Sequence, residues 1–511
     1  MTKKSTVHVR YNIGGKAKVS DRDVSATLDD NLTWLKKYLG YKETFDLLVR
    51  EFKIGERRAG LVYIDSFISG TDLTLIMKQF LDVPDSAFED PSVTTLLSRL
   101  IPYSEVSTET QLSKIADQIM AGPVALLVDG VNHAIVLDVR KYPDRNPSEP
   151  SLERVLRGPH DGFVETIVFN TILIRRRLRD PNLRIEMHEV GRRSKADVAI
   201  IFIKDIANDS FVQQIRQRVK AIDVDALTMS EKALQEWIVK KPWWNPFPVT
   251  KFTERPDVAA EHLSEGHVLI MIDTSPNALI VPVTMFSFLQ SVEEYHEDVM
   301  VGTYLKWVLF IALLFSWVGP PLWYALIVSH THLPGGWGIL LKPQVKEIPL
   351  FWQLAALEFG VDLLRLALLF TPNPLGQSMG FFGAVLLGSV AVKAKMFDAE
   401  AMVYVVVAAV GTFSAPDIDF GMAIRLLRAF LLVVTGLGVL IHSPWLGFGI
   451  GILVPLAFLT NTRSFNASYL WPLWPVSWSF LGAELIRKPL DQKTMRPTIT
   501  LPKDPTHRRP E

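Results

Sequence analysis

The chain has 511 residues, in which 54 Lys and Arg balance 54 Asp and Glu, and it contains no cysteine. Balanced charge gives no whole-protein field to steer nucleic acid, and the missing thiols exclude disulfides, thiolate zinc sites, iron–sulfur clusters and cysteine nucleophiles. A mean hydropathy of +0.19 beside 21% charged residues averages two unlike regions, because the charges crowd before residue 300 and after residue 486.

The opening MTKKSTVHVRYNIGGKAKVSDRD is polar and lacks the apolar core of a secretory signal. Residues 1–29 are therefore expected to be flexible and cytosolic. Residues 30–300 carry the pattern of a cytosolic mixed α/β region in two subdomains. AGLVYID, PVALLVD, ADVAIIFI and HVLIMID read as buried strands, and FVETIVFNTILIRRRL (163–178) and SFVQQIRQRVKAI (210–222) have helical period.

Two segments resemble each other: GPVALLVDGVNHAIVLDV from Gly122 and GHVLIMIDTSPNALIVPV from Gly266 share Gly, Val, Asp129/Asp273 and Ala134/Ala278. Each reads as strand, turn, strand. They are either two copies of a duplicated fold unit or two ordinary hairpins.

Three charged clusters follow: Arg175, Arg176 and Arg177; Arg192 and Arg193 in GRRSK; and Glu254, Arg255 and Asp257 in TERPD. Cations after an apolar helix favour its dipole, and Glu254, Arg255 and Asp257 are expected to pair with the first cluster across a subdomain junction. Structural ion pairing is the preferred role, with an anion site or acidic lipid headgroups as the rival. Phosphate-loop, HExxH and GxSxG signatures are absent, and the glycine-dense GFGIGIL (447–453) lies in an apolar span. His330 and His332 form an HxH without further ligands nearby, too few for a structural zinc site. The reading is therefore a non-enzyme with no cofactor and no metal.

From Leu305 the composition turns apolar, with about 25 residues of spanning length that contain Gly319, Pro320 and Pro321, residues expected to kink a helix. Further apolar runs lie at 350–371, 376–392, 401–415, 427–443 and 444–461. The fold class is thus an α+β or α/β N-terminal region followed by an all-α polytopic membrane domain of about five to six helices at 301–488. Six spans leave both termini cytosolic, in accord with Arg463, Arg487 and Lys488, whereas Lys393 and Lys395 then face outward. The runs at 376–392 and 444–461 are short enough to be re-entrant. Trp445, Trp471, Trp474 and Trp478 suit an interfacial belt. The Pro-rich and charged residues 489–511 are expected to be a disordered cytosolic tail.

Within the run at 351–370, Glu358, Asp362 and Arg365 stand at i, i+4 and i+7, on one helical face. Each charge at mid-span costs about 2.5 to 3.5 kcal/mol, against about 0.3 to 0.6 returned by each Leu, Phe or Val. Such a face avoids lipid. It either packs as a buried charge network or lines water, and the water-lined path is preferred because one Arg cannot neutralise two carboxylates.

The ordered set RGPHDGFVETIVFNTILIRRRL, EVGRRSKADVAIIFI and NPFPVTKFTERPDVAAEHLSEGHVLIMIDTSP, followed by a Pro-containing first span, resembles the A subunits of the GerA family of spore germination proteins from about residue 30 to 487. WWNPFP and the DTSP turn set it apart from nutrient-receptor A subunits, in which a glycine is expected after the Asp. The resemblance implies a multi-pass protein of the inner spore membrane with a cytosolic N-terminal region. It further implies a homo-oligomer, a pentamer by analogy, conducting monovalent cations beside other germination membrane subunits. Glu358 and Asp362, with Arg365, match the segment assigned to the family's pore. An accessory scaffold that conducts nothing is the alternative, and a membrane-associated enzyme comes third.

Overall fold

A computed structural model describes residues 22–68, 70–82, 106–141, 158–290, 297–329, 348–370, 397–487 and 492–507, with Pro150, Glu153, Val155 and Pro489 singly. Most of the expected flexible N-terminal segment, the HxH and the span at 376–392 lie outside these residues. The chain divides into two compact units: residues 1–240, 252–282 and 489–511, and residues 241–251 and 283–488. The expected boundaries were 300 and 489.

The first unit is a duplication. Its first half runs α1 (Leu28–Leu39), β1 (Leu47–Ile54), β2 (Arg57–Ile64), α2 (Gly70–Leu81), β3 (Val106–Glu109), α3 (Leu112–Ala121), β4 (Val124–Val128) and β5 (Ala134–Leu137). Its second half runs α4 (Ile167–Arg177), β6 (Leu183–Val190), β7 (Ala196–Ile203), α5 (Asp209–Lys220), α6 (Ser230–Ile238), β8 (Lys251–Thr253), α7 (Pro256–Ser264), β9 (Val268–Ile272) and β10 (Ala278–Val281). The two five-stranded sheets have the same order, β1-β2-β4-β5-β3 and β6-β7-β9-β10-β8. The two similar segments are β4–β5 and β9–β10, each an antiparallel pair at the same place in its sheet.

Alternation along the strands explains why each sheet is covered on both faces. Val62 and Ile64 pack with Leu28, Leu32 and Leu35 of α1 and Ile115 and Ile119 of α3, while Leu61 and Tyr63 pack with Ile76, Met77 and Phe80 of α2. The shared Asp has a mechanical role in both halves. Asp129 accepts the Leu28 N–H at 3.0 Å and Asp273 accepts the Ile167 N–H at 3.0 Å, so the turn carboxylate caps the first helix of its own half. Asn31 and Asn170 repeat the pattern, each bonding both backbone groups of the residue six before it.

Within the tail expected to be disordered, residues 492–507 are ordered. Thr500 is fully buried, its hydroxyl donates to Glu265 O at 3.0 Å, and Arg496 Nε donates to Ser264 O at 2.8 Å. Composition misled because polar groups that find specific backbone partners offset the ordering entropy that few apolar groups would cover.

The second unit contains α8 (Val299–Val328), α9 (Leu350–Phe370), α10 (Ala399–Phe413), α11 (Ile418–Leu440), α12 (Pro444–Asn461) and α13 (Trp478–Leu485). Among the described residues, three helices, α8, α11 and α12, are long and apolar enough to cross a membrane. α8 continues helically through Gly319, Pro320 and Pro321, all three buried. α11 starts at Ile418 rather than 427, and so takes in Arg425 as well as Arg428. Small residues allow close crossings: a methyl on Gly411 would lie 2.5 Å from Ala312 O, and one on Gly447 2.5 Å from Val434 O. Outward-facing Val403, Leu440 and Leu453 are 60%, 75% and 66% exposed, as befits helices whose surroundings are hydrocarbon. Of the belt tryptophans, Trp474 and Trp478 are exposed, whereas Trp471 is buried against Phe480 at 5.3 Å between ring centres.

Candidate functional site

The charged face of α9 meets a matching ladder on α11. Glu358 and Asp362 stand four residues apart on one helix, and Arg425 and Arg428 three apart on the other, so both pairs share a face with the pitch needed to interlock. Glu358 Oε1 lies 2.7 Å from Arg428 Nε, and Arg428 Nη2 donates to Oε2 at 2.8 Å, a two-pronged contact. Arg425 Nη1 pairs with Asp362 Oδ1 at 2.6 Å, while its Nη2 donates to the backbone carbonyl of Glu358 at 2.7 Å. Arg428 Nη1 also donates to Ser316 O and Ser316 Oγ, both at 2.9 Å, which ties α8 to the seam.

Burial separates the two carboxylates. The side chains of Arg428, Arg425 and Glu358 are 1%, 7% and 13% exposed, whereas that of Asp362 is 46% exposed. Arg365 stands apart from the ladder, touching Met422 Sδ, with its guanidinium 5.5 Å from the centre of the Phe413 ring. The premise that a single Arg faces two carboxylates is thus corrected: Arg425 and Arg428 meet Glu358 and Asp362, with Arg365 beside them as a third guanidinium. Arg425 lies before the apolar run at 427–443 and Arg428 inside it without being singled out, and the i, i+3 spacing in IRLLRAF was the signal that could have found them.

In the first unit, Arg175, Arg177, Arg192, Arg193 and Arg255 each form an ion pair, and the pairing expected between the α4 arginines and TERPD is not among them. Arg175, 2% exposed, binds Asp46, also 2% exposed, with Nε to Oδ2 at 3.0 Å and Nη2 to Oδ1 at 3.1 Å. Arg177 takes Asp161 at 2.6 Å, Arg192 and Arg193 take Asp223 and Asp225 at 2.8 and 2.9 Å, and Arg255 takes Asp257 at 2.7 Å. Glu254 N–H donates to Glu153 at 3.0 Å. Arg176, on α4, is exposed. The local pairing of Arg255 with Asp257 leaves the α4 arginines to partners outside TERPD.

A cleft of about 790 Å³ opens along β6, beside Glu43, Arg184, Lys204, Glu186 and Arg216. These five pair with one another: Glu43 with Lys204 at 2.7 Å and Arg184 at 2.8 Å, and Glu186 with Arg216 at 2.7 Å. The Lys204 hydrogen bond holds the Glu43 carboxyl below its ordinary value against the opposing effect of burial. That arrangement stabilises the wall of the cleft.

A duplicated, folded α/β unit joined to helices of bilayer-spanning length, two of them locked by a buried charge ladder, defines a membrane protein with a large extramembrane part. The chain belongs to the Bacillus/Clostridium GerA spore germination protein family, whose profile matches residues 33–499. It is 36% identical to stage V sporulation protein AF of Bacillus subtilis (strain 168) over 474 residues, covering 93% of this chain and 95% of that one. It is 30% identical to spore germination protein B1 of the same organism, over 94% of this chain and 99% of that one. The crystal structure of the N-terminal domain of the A subunit of the Bacillus megaterium spore germinant receptor GerK3 matches 51% of this chain and 96% of its own, at 27% identity and a TM-score of 0.37.

Proposed function

We propose that the chain is a non-enzymatic membrane protein of spore germination, in the inner spore membrane, that contributes to an oligomeric path for monovalent cations beside other germination membrane subunits. The reading rests on family membership and on one observation: Asp362, in the middle of an apolar helix, keeps a side chain 46% exposed. An intramembrane carboxylate in that position is unfavourable against lipid and favourable against water or a second subunit. α9 also leaves Ala356, Phe359, Gly360, Leu363 and Leu366 exposed, a face suited to a neighbouring copy, pentameric by family analogy. Glu358 then acts as an anchor for Arg428, and Asp362 as the carboxylate presented to cations.

The test is potassium flux through the reconstituted assembly. Asp362→Asn is expected to lower cation permeation several-fold at normal protein amount, whereas Glu358→Gln, which strands the buried Arg428, is expected to lower the amount of folded protein. Unchanged flux in Asp362→Asn would defeat the conducting reading. The scaffold reading has an observation of its own in its favour: three guanidiniums, Arg365, Arg425 and Arg428, outnumber two carboxylates, Glu358 and Asp362, which leaves the cluster at +1 and repels cations.

A further inference from the structure

The C-terminal turn of α7 gathers two imidazoles and a carboxylate outside the charged seam. Gly266 lies at φ +93°, a conformation that suits glycine, and the chain reverses there, with Gly266 N–H bonding Leu263 O and His267 N–H bonding His262 O, each at 3.0 Å. The reversal brings His262, Glu265 and His267 together with their ligating atoms all within 4.8 Å of one another. Glu265 Oε2 stands 3.7 Å from His262 Nδ1 and 4.0 Å from His267 Nε2, and the two rings meet edge to face at 5.0 Å. The three side chains are 11%, 12% and 6% exposed in chain order. His262 Nδ1 is buried and has no hydrogen-bond partner among the described residues.

These separations exceed a hydrogen bond, which closes at about 2.7 to 3.2 Å between heavy atoms, yet the two imidazoles converge on one oxygen. A zinc ion held at about 2.0 to 2.1 Å from nitrogen and about 2.0 to 2.2 Å from oxygen, with tetrahedral angles, sets its donors about 3.3 to 3.5 Å apart. The Glu–His separations are a few tenths of an ångström longer, a gap that small side-chain rotations close. The carboxylate is also divided usefully. Lys493 Nζ takes Oε1 at 2.6 Å and leaves Oε2 to the imidazoles, and because Lys493 also bonds Glu261 at 3.1 Å, two carboxylates face one ammonium.

The geometry points to a divalent metal site of the zinc class, with His262, Glu265 and His267 as protein ligands and a fourth position open to water. The C-terminal segment rests on the same turn, through Arg496 on Ser264 O and Thr500 on Glu265 O. A bound ion therefore fastens the seat of that segment.

The experiment uses the full-length protein in detergent micelles, stripped with EDTA and titrated with zinc chloride by calorimetry, with cobalt(II) absorption and hydrogen exchange of residues 492–507 as further readouts. One equivalent is expected to bind at micromolar dissociation constant or tighter. His262→Asn and His267→Asn are expected to weaken it at least 100-fold, with His188→Asn on β6 leaving it unaltered. Zinc is expected to slow exchange at 492–507 in the parent protein and not in the two ligand variants. Equal zinc uptake by parent and His262→Asn protein would overturn the site. So would the weak spectrum of six-coordinate cobalt in the parent, a readout that needs no variant to fold.

Discussion

Replacing Arg175 with Met retains much of the aliphatic stem but removes the guanidinium that joins the two halves of the duplicated unit. In the parent, that group satisfies both oxygens of Asp46 at 3.0 and 3.1 Å, Thr44 Oγ1 at 3.2 Å and the Leu183 carbonyl at 3.3 Å. Without it, Asp46, 2% exposed, keeps the Thr44 hydroxyl at 2.5 Å as its remaining side-chain partner among these contacts and must stay ionised in an apolar site or take up a proton. Breaking a buried pair from one side costs about 3 to 5 kcal/mol, whereas removing both charges together is far milder. The double variant Arg175→Met, Asp46→Asn is therefore expected to recover about half or more of the loss, a coupling on the order of 2 kcal/mol. Urea titration with pulse proteolysis of the full chain in micelles reads the stability of the first unit against the untouched helices. A loss under about 1 kcal/mol in Arg175→Met, or losses that simply add in the double variant, would refute the reasoning.

Arg255 is fully buried and bonds Asp257, Pro159 O at 3.0 Å and Glu153 O at 3.3 Å, so Arg255→Ala is expected to lower protein abundance several-fold without altering ion selectivity, as immunoblotting beside flux measurement checks. Burial would raise the Glu186 carboxyl, but the His188 imidazole 3.6 Å away and the hydrogen bonds from Arg216 outweigh it and hold the group at about 2 against 4.5. Its contribution, up to about 3 kcal/mol, is complete above pH 4.5 and disappears as pH falls towards 2; Glu186→Gln is expected to flatten the melting temperature over that window, and parallel acid limbs would count against it. Thr500→Val removes the hydroxyl bonded to Glu265 O at 3.0 Å and is expected to cost about 1 to 2 kcal/mol, seen as faster hydrogen exchange at 492–507. Gly447→Ala places a methyl 2.5 Å from Val434 O and is expected to reduce monodisperse protein in size-exclusion runs, whereas Gly449→Ala, with nothing within 4 Å, is tolerated; equal behaviour would refute the close crossing of α11 and α12.

The duplication was legible at β4–β5 and β9–β10 because a capping Asp and a glycine that must adopt positive φ are constrained by local geometry, and local constraints survive in sequence. Gly122 and Gly266, at φ +112° and +93°, are examples. The stripe of Glu358, Asp362 and Arg365 was equally legible, since periodicity alone puts those residues on one face. Its partners were not. Arg425 and Arg428 lie 67 and 70 residues from Glu358, and no period within α9 reports which helix packs against it. The same limit hid Asp46 from Arg175, 129 residues away, and the seat of Thr500, 235 residues from Glu265.

The anchorage of residues 492–507 reaches beyond local stability. Lys493, Arg496 and Thr500 bond residues 261–265, although the helices from 299 to 485 intervene in the chain. A bilayer seals its two sides from each other, so a polypeptide that ends on the surface it started from has threaded the lipid an even number of times. Three passages, by α8, α11 and α12 alone, would strand Thr500 on the far side from Glu265. The journey out must be matched by a journey home.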